Sequence, residues 1–518
     1  MTDEGTIASE RPRTRRRIRA IFVAPLLLVL ALGAWVFASP AGASPDDDYH
    51  LISIWCAAGD RTSLCEETDS PGTRLVAEKL IGIACFARDS AETASCQRSV
   101  LESTELVESS RGNFSGEYPP VYYGVMSLFA SDDVLTSVVI MRFVNVLLFT
   151  AIGSLLFALL PLNRRRTLVW GWLVSVVPLA LFLIASNNPS SWAIIGVGSL
   201  PLALLGWFEG EGRRRRALGG LAVLSAVLAA GARADGALYT VLVTIAVVVL
   251  TARRTREYAR ALVVPGVVVV VAVVVLLTST QILSGLIGFG GAAFARAPLG
   301  SAHGFAIGAE TPPDLLGLLL SNILNTPSLW AGVFGSWSLG WFDTPLPYVV
   351  SLGGVAVFVA TCFTGLRELD VRKLAVVVAT GLGLWIIPVF TLTRGGDPVG
   401  VEVQPRYLLP LIVVLAMFAL LTTRPTSAFT RPQTVLLAIT LVGTFAVSIV
   451  FNIRRYASGL GDGANDLGGA TWWGDGSLNP NVAAVIGCLA WAGLLVVVLR
   501  ELARAQRVPG PTSIPSAS

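Results

Sequence analysis

VLTSVVIMRFVNVLLFTAIGSLLFALLPLNRRR, residues 134–166, holds the two signals from which the rest of the chain can be read. The first is an apolar run from 134 to 160. As a helix rising ~1.5 Å per residue it is long enough to cross the ~30 Å hydrocarbon core of a bilayer. The second is the arginine cluster that ends it, because short basic connectors stay on the cytoplasmic side of a membrane. Inside the run stands a single charge, Arg142.

The same alternation recurs in both directions. Apolar runs at 20–38, 168–185, 190–208, 217–231, 236–252, 260–280, 346–366, 373–392, 406–422, 434–451 and 481–499 bring the expected spans to about twelve. With that number the basic connectors at 163–166, 213–216, 253–260, 366–373 and 424–431 and the tail after 499 all fall on one side, and both termini are cytoplasmic. The SPAGA stretch at 39–43 would suit a signal-peptide cleavage site, but the many later spans favour a retained first helix. Segments 119–131 and 313–335 are apolar too; either one crossing alone would invert the charge pattern, so both read as helices lying on or dipping into the outer leaflet. A chain of 518 residues that is 53% hydrophobic and 14% charged, with mean hydropathy +0.69, is no water-soluble globule. Its net charge of +4 sits in short clusters, as a topology signal does, and implies no nucleic-acid partner. The expectation is an all-α integral membrane protein in a bacterial plasma membrane. It has a basic cytoplasmic segment at 1–19, a transmembrane domain at 20–499 and a cytoplasmic tail at 500–518 that ends in a disordered Pro- and Ser-rich stretch.

The two longest loops, 39–118 and 281–345, lie on the outer side, and loops of that length usually carry function. Four of six cysteines fall in the first, which suggests disulfides; proximity favours Cys56 with Cys65 and Cys85 with Cys96. Zinc is the competing reading, but the CxxC spacing is missing. His50 and His303 are the only histidines, both on the outer side.

The sharpest local signal is SPDDDYH, residues 44–50, directly after the first span. Asp46, Asp47 and Asp48 beside His50 read either as a base or metal site, since adjacent carboxylates raise one another's pKa, or as a solvated helix start with Asp46 as cap. Arg142 inside a span costs roughly 2.5–3.5 kcal/mol on insertion scales and calls for a phosphate, a carboxylate or a water-filled cavity. Arg233 and Asp235 either pair or line the same cavity. Further outer clusters are EYPPVYY (117–123), NNPSSW (187–192), GWFDTPLP (340–347), VQPRYLLP (403–410) and RRY with a later WW (454–473). Together they describe a polar, aromatic cavity in which a sugar could stack and a phosphate could meet an arginine. The sequon at Asn113 reads as chance.

In order and spacing these motifs resemble a bacterial domain-of-unknown-function family of multi-pass membrane proteins similar in architecture to GT-C glycosyltransferases. The residues that carry the resemblance are Pro45, Asp46, Asp47 and His50; Tyr118 to Tyr123 with Arg142; Asn188 and Pro189; Gly340, Trp341, Asp343, Thr344 and Pro347; and Gln404, Arg406, Tyr407 and Pro410. Asp47 stands where that family has Glu, and Pro405 where it has Gly. The resemblance implies transfer of a sugar from a polyprenyl-phosphate donor to a cell-envelope glycan. Asp47 or Asp46 would be the general base, with His50, Asp48, Tyr122, Arg142, Arg233, Asp235, Trp341, Asp343, Gln404, Arg406 and Tyr407 binding substrate. A divalent cation (Mg, Mn or Ca) is compatible with the acids but not specified by them. Membrane lipid, the donor and the glycan acceptor are the expected partners. The rival reading is a transporter or flippase of a lipid-linked precursor, which would call for inverted repeats that the sequence lacks; a catalytically inactive scaffold is the third.

Overall fold

The computed structural model describes residues 11–278, 315–422, 429–460, 467–468, 470–474 and 477–505. Residues 1–10, most of the second long loop with His303, most of the 424–431 connector and the tail after 505 lie outside the described residues.

After α1 (Arg11–Ala38) the chain makes an insertion: α2 (Asp47–Cys56), β1 (Cys65–Glu67), β2 (Arg74–Ala77), α3 (Glu78–Gly82), α4 (Gln97–Leu101), β3 (Leu106–Ser109) and α5 (Pro120–Met126). The three strands form an antiparallel sheet in the order β1-β2-β3, with Cys65 opposite Val76 and Val76 opposite Val107. An all-α chain was the expectation, and this sheet corrects it. Its strands are three or four residues long, too short to leave a period-2 signal in the sequence. Both expected disulfides are present, Cys56–Cys65 and Cys85–Cys96, with Cα separations of 5.3 and 6.2 Å. At seven residues, α5 is too short to cross a bilayer.

The bundle follows: α6 (Val134–Leu159), α7 (Leu162–Leu173), α8 (Leu179–Ile184), α9 (Ser190–Glu209), α10 (Gly212–Ala232), α11 (Ala234–Thr251), α12 (Arg256–Ala261), α13 (Val263–Thr278), α14 (Leu315–Val333), α15 (Tyr348–Gly365), α16 (Val371–Gly395), α17 (Pro405–Ala419), α18 (Arg431–Ser458) and α19 (Pro480–Ala505). Among the described residues nine helices are long and apolar enough to span: α6, α9, α10, α11, α12 with α13, α15, α16, α18 and α19. The expectation was about twelve, and the described residues show nine. Phe22–Ala38 and Pro405–Ala419 are shorter apolar helices. The run 168–185 is no single helix, because Pro178, which has no N–H to donate, stands between the end of α7 and the start of α8.

Burial separates the centre from the lipid face. The apolar window of α9 is 89% buried inside the protein, whereas that of α12 with α13 is 22% buried and exposes Val270 and Leu277. Gly196 lets α9 and α10 meet backbone to backbone, since a Cβ there would strike the Ser225 carbonyl.

The two ends of the bundle differ. At one, the basic connectors are stitched together: Arg164 binds Glu209 and Thr422 O, Thr167 donates to Leu420 O, and the Lys373 ammonium donates to Gly365 O, Glu368 O and Leu421 O. The insertion sits at the other. The α14 helix keeps to the insertion end: Asn322 bonds to Thr393, Asp397 and Val399, and Gly332 abuts Pro405. Both halves of α14 thus touch the 393–405 stretch, and it does not traverse the bundle.

Candidate functional site

A helix leaves its last carbonyls without backbone partners, and inside a membrane protein they must be satisfied by side chains. At the end of α1 they are. Arg142 donates to Val36 O, Ser39 O and Pro40 O at 2.7–2.9 Å, Asn452 to Ala38 O, and Trp473 to Phe37 O. The following turn is held the same way. Gln97 donates to Ala41 O, Trp341 to Gly42 O, and Asn188 and Arg406 to Pro45 O. Gly42 has φ +81, and a Cβ there would strike the Ile83 carbonyl, so this turn requires glycine. Residues from α4, α6, α8–α9, the 340s loop, α17, α18 and the 470–474 segment thus converge on one backbone stretch, 36–45.

That stretch presents the three acids. Asp46 adopts φ 62, a left-handed conformation that aspartate tolerates. It occupies the cap position of α2 but makes no side-chain cap bond, so the capping role weighed for it does not hold. Its carboxylate instead pairs with Arg406 and lies 3.8 Å from Arg111, which in turn grips Asp48 through two nitrogens. Burial raises the Asp46 pKa, but the Arg406 and then the Arg111 guanidinium outweigh it, and the carboxyl is held below its usual range. Asp47 differs. It is fully enclosed; Oδ2 accepts from Ser44 N and Oδ1 has no partner, and burial pushes its pKa up to about 7 despite Arg142 nearby. His50 is enclosed as well, its Nδ1 2.9 Å from Tyr123 Oη and its Nε2 without a partner. Burial and the surrounding arginines lower its pKa to about 3, so it is neutral at physiological pH.

Arg233 pairs with Asp235 at 2.9 and 3.0 Å and lies over the rings of Tyr407 (4.5 Å) and Tyr118 (5.7 Å). Two buried guanidinium nitrogens, Arg233 Nη1 and Arg406 Nε, have no partner. Beside Arg406 a small crevice, open on one side, runs between Pro45, Leu183, Trp337, Gly340 and Gln404, whose Oε1 is also unpartnered.

Not every expected residue meets this cluster. Tyr122 is packed against Trp192. Asp343 pairs with Arg455 at 2.9 Å and accepts from Arg88 N, which ties the 340s loop to the insertion. Arg142, expected at a phosphate, a carboxylate or a water-filled cavity, has both terminal nitrogens on backbone carbonyls, of Val36 at the end of α1 and of Ser39 and Pro40 after it. Asn113 is held to Tyr118 and Ser53.

Two residues that sequence reading gave no role prove central. Arg111 bridges Asp46 and Asp48, and Arg455, fully buried, donates to Asp343, Phe86 O, Asp89 O and Glu92 O. Arg455 had a signal, an arginine where a span emerges; Arg111, in ESSRGNF, had none. Among the described residues no group of three or more His, Cys, Asp or Glu is placed to hold a metal ion.

No curated protein and no solved structure matches this chain. A family profile does, over residues 27–415, from the helix that precedes the acidic turn to the helix that begins at Pro405 and carries Arg406, and the chain belongs to that family, described as predicted membrane protein (DUF2142).

Proposed function

We propose that the chain is a membrane glycosyltransferase of GT-C type that moves a sugar from a polyprenyl-phosphate donor to a cell-envelope glycan outside the bacterial plasma membrane. The observation that carries the reading is the acidic turn. Seven parts of the chain hold the backbone that leads into it, and Asp46, between Pro45 of the crevice wall and Arg111, touches the buried Arg406 with a partly exposed carboxylate. The positive-inside rule assigns the arginine-rich end to the cytoplasm, and with it both termini, so the turn faces outward.

In this reading the acceptor hydroxyl gives its proton to the Asp46 carboxylate as its oxygen bonds to the anomeric carbon of the sugar. The bond from that carbon to the phosphate oxygen breaks, and the electron pair leaves on the polyprenyl phosphate. Arg406 and Arg233 stabilise the departing charge with N–H groups that have no other partner. Attack opposite the leaving group inverts the anomeric centre. Of the two acids expected to act as base, Asp46 is favoured because its side chain is 14% exposed, whereas Asp47 is shut away.

Transfer of labelled sugar from a panel of polyprenyl-phosphate donors by purified protein tests this. Asp46→Asn is expected to lose transfer while Asp47→Asn keeps it. Transfer retained in a folded Asp46→Asn protein removes the assigned base. If no donor is used and lipid-linked sugar instead crosses proteoliposome membranes, the protein is a transporter.

A further inference from the structure

The charges around Asp46 alternate in space: Arg406, Asp46, Arg111, Asp48. Two positive and two negative groups leave this row of four side chains neutral, so at rest it offers an anion no net attraction. Arg406 is nonetheless built like an anion seat. It is 3% exposed, lines the crevice, and keeps a free Nε; its Nη1 is on Pro45 O, and its Nη2 is on Asp46 and Tyr407 Oη. What fills the seat is the Asp46 carboxylate. A phosphate oxygen could not join it there, because two anions a few Å apart in a buried site repel strongly.

The second hold on Asp46 is already in place. Arg111 Nη2 lies 3.8 Å from Asp46 Oδ1, just beyond hydrogen-bond reach, so a shift of about 1 Å would close that contact as the bond to Arg406 opens. Arg111 belongs to the disulfide-stapled insertion, is anchored by Asp48 and lies over the Tyr49 ring, and can receive the carboxylate without moving.

We propose that Asp46 is the resident anion of a phosphate seat centred on Arg406, and that a phosphate ester enters by displacing the Asp46 carboxylate onto Arg111. The identity of the ester, a polyprenyl one, rests on the transferase reading; the seat and the exchange do not. The exchange orders the reaction. While the seat is empty, Asp46 is tied to Arg406 and is a weak base; when donor fills the seat, the carboxylate keeps only Arg111, whose charge Asp48 already engages, and lies beside the donor phosphate, which makes it the stronger base, so the acceptor is activated only with donor in place. Arg111 is then a positioning residue, acting through Asp46.

The test is binding of farnesyl phosphate to the purified full-length protein in detergent at fixed ionic strength, with farnesol as the uncharged control. Removing the competitor should tighten binding, so Asp46→Asn is expected to bind at least tenfold more tightly than wild type, equivalent to about 1.4 kcal/mol. Arg406→Gln is expected to abolish binding. Arg111→Gln is expected to weaken binding at least fivefold in the wild-type background and less than twofold when Asp46 is already Asn, where no carboxylate needs a receiver. Unchanged or weaker binding in Asp46→Asn, an equal effect of Arg111→Gln in both backgrounds, or no binding in any variant overturns the proposal. Wild-type protein gives an answer even if the variants fail to fold: an experimental structure with farnesyl phosphate should show phosphate on Arg406 and Asp46 on Arg111. Asp46 still on Arg406 with phosphate elsewhere refutes the exchange. The two readings fail separately. Tighter binding in Asp46→Asn with no sugar transfer by wild type sinks only the transferase, and transfer by wild type with no tightening sinks only the exchange.

Discussion

Asp47 offers the cleanest measurement of what the enclosed turn costs. Its carboxyl is shut off from solvent, one oxygen accepts from Ser44 N and the other from nothing, and burial lifts its pKa from 3.8 to about 7. Because the folded-state pKa is raised, the folded protein holds a proton that the unfolded chain has released. Stability is therefore highest below about pH 4 as far as this group is concerned, falls as pH rises, and reaches its floor above pH 7. A shift of roughly three pKa units corresponds to about 4 kcal/mol, of which about 3 kcal/mol falls between pH 5 and pH 8. Asp47→Asn keeps an acceptor for Ser44 N and abolishes the charge. Its unfolding free energy, measured by tryptophan fluorescence in denaturant at each pH and subtracted from that of wild type, cancels the other carboxylates. The variant should gain about 3 kcal/mol over wild type between pH 5 and pH 8. Parallel profiles would show that Asp47 ionises freely and that the turn is not sealed.

Other perturbations bear on the scaffold. Arg455→Met leaves Asp343 charged and unpaired in the interior and should cost about 3–5 kcal/mol; adding Asp343→Asn should recover part of that loss, as denaturant melts will show. Cys85→Ser with Cys96→Ser opens a loop whose ends are 11 residues apart and should cost about 2–3 kcal/mol in denaturant melts. Arg142→Leu strips three carbonyls, at the end of α1 and in the turn after it, of their donor and should lower both melting temperature and sugar transfer, with only partial rescue by lysine, whose single ammonium cannot span the three acceptors. For orientation, a cysteine at exposed Ser115 should react with an impermeant maleimide in intact cells, and one at exposed Arg213 only after permeabilisation; the reverse would invert the topology.

The sequence by itself determined the solvent of each segment. Long apolar runs and the arginines between them report on hydrocarbon and on topology, which is why most spans and the non-crossing 119–131 stretch could be read from it, while nearness along the chain alone gave both disulfides. It also revealed where polar residues gather at helix ends. What those residues touch was decided only by the tertiary structure, because the deciding contacts join positions far apart in the chain: Arg406 with Asp46 across 360 residues, Asn452 with Ala38 across 414, Arg142 with Pro40 across 102. An intramembrane arginine costs the same free energy to insert whether it meets a phosphate or a frayed helix end, so Arg142 could not be told apart from a ligand residue by type or depth. The same holds for Trp341 and Asn188, whose donors close on the backbone of the acidic turn. Arg111 was invisible for the opposite reason: it lies in a polar loop where an arginine is unremarked, and only the folding of the insertion brings it between Asp46 and Asp48.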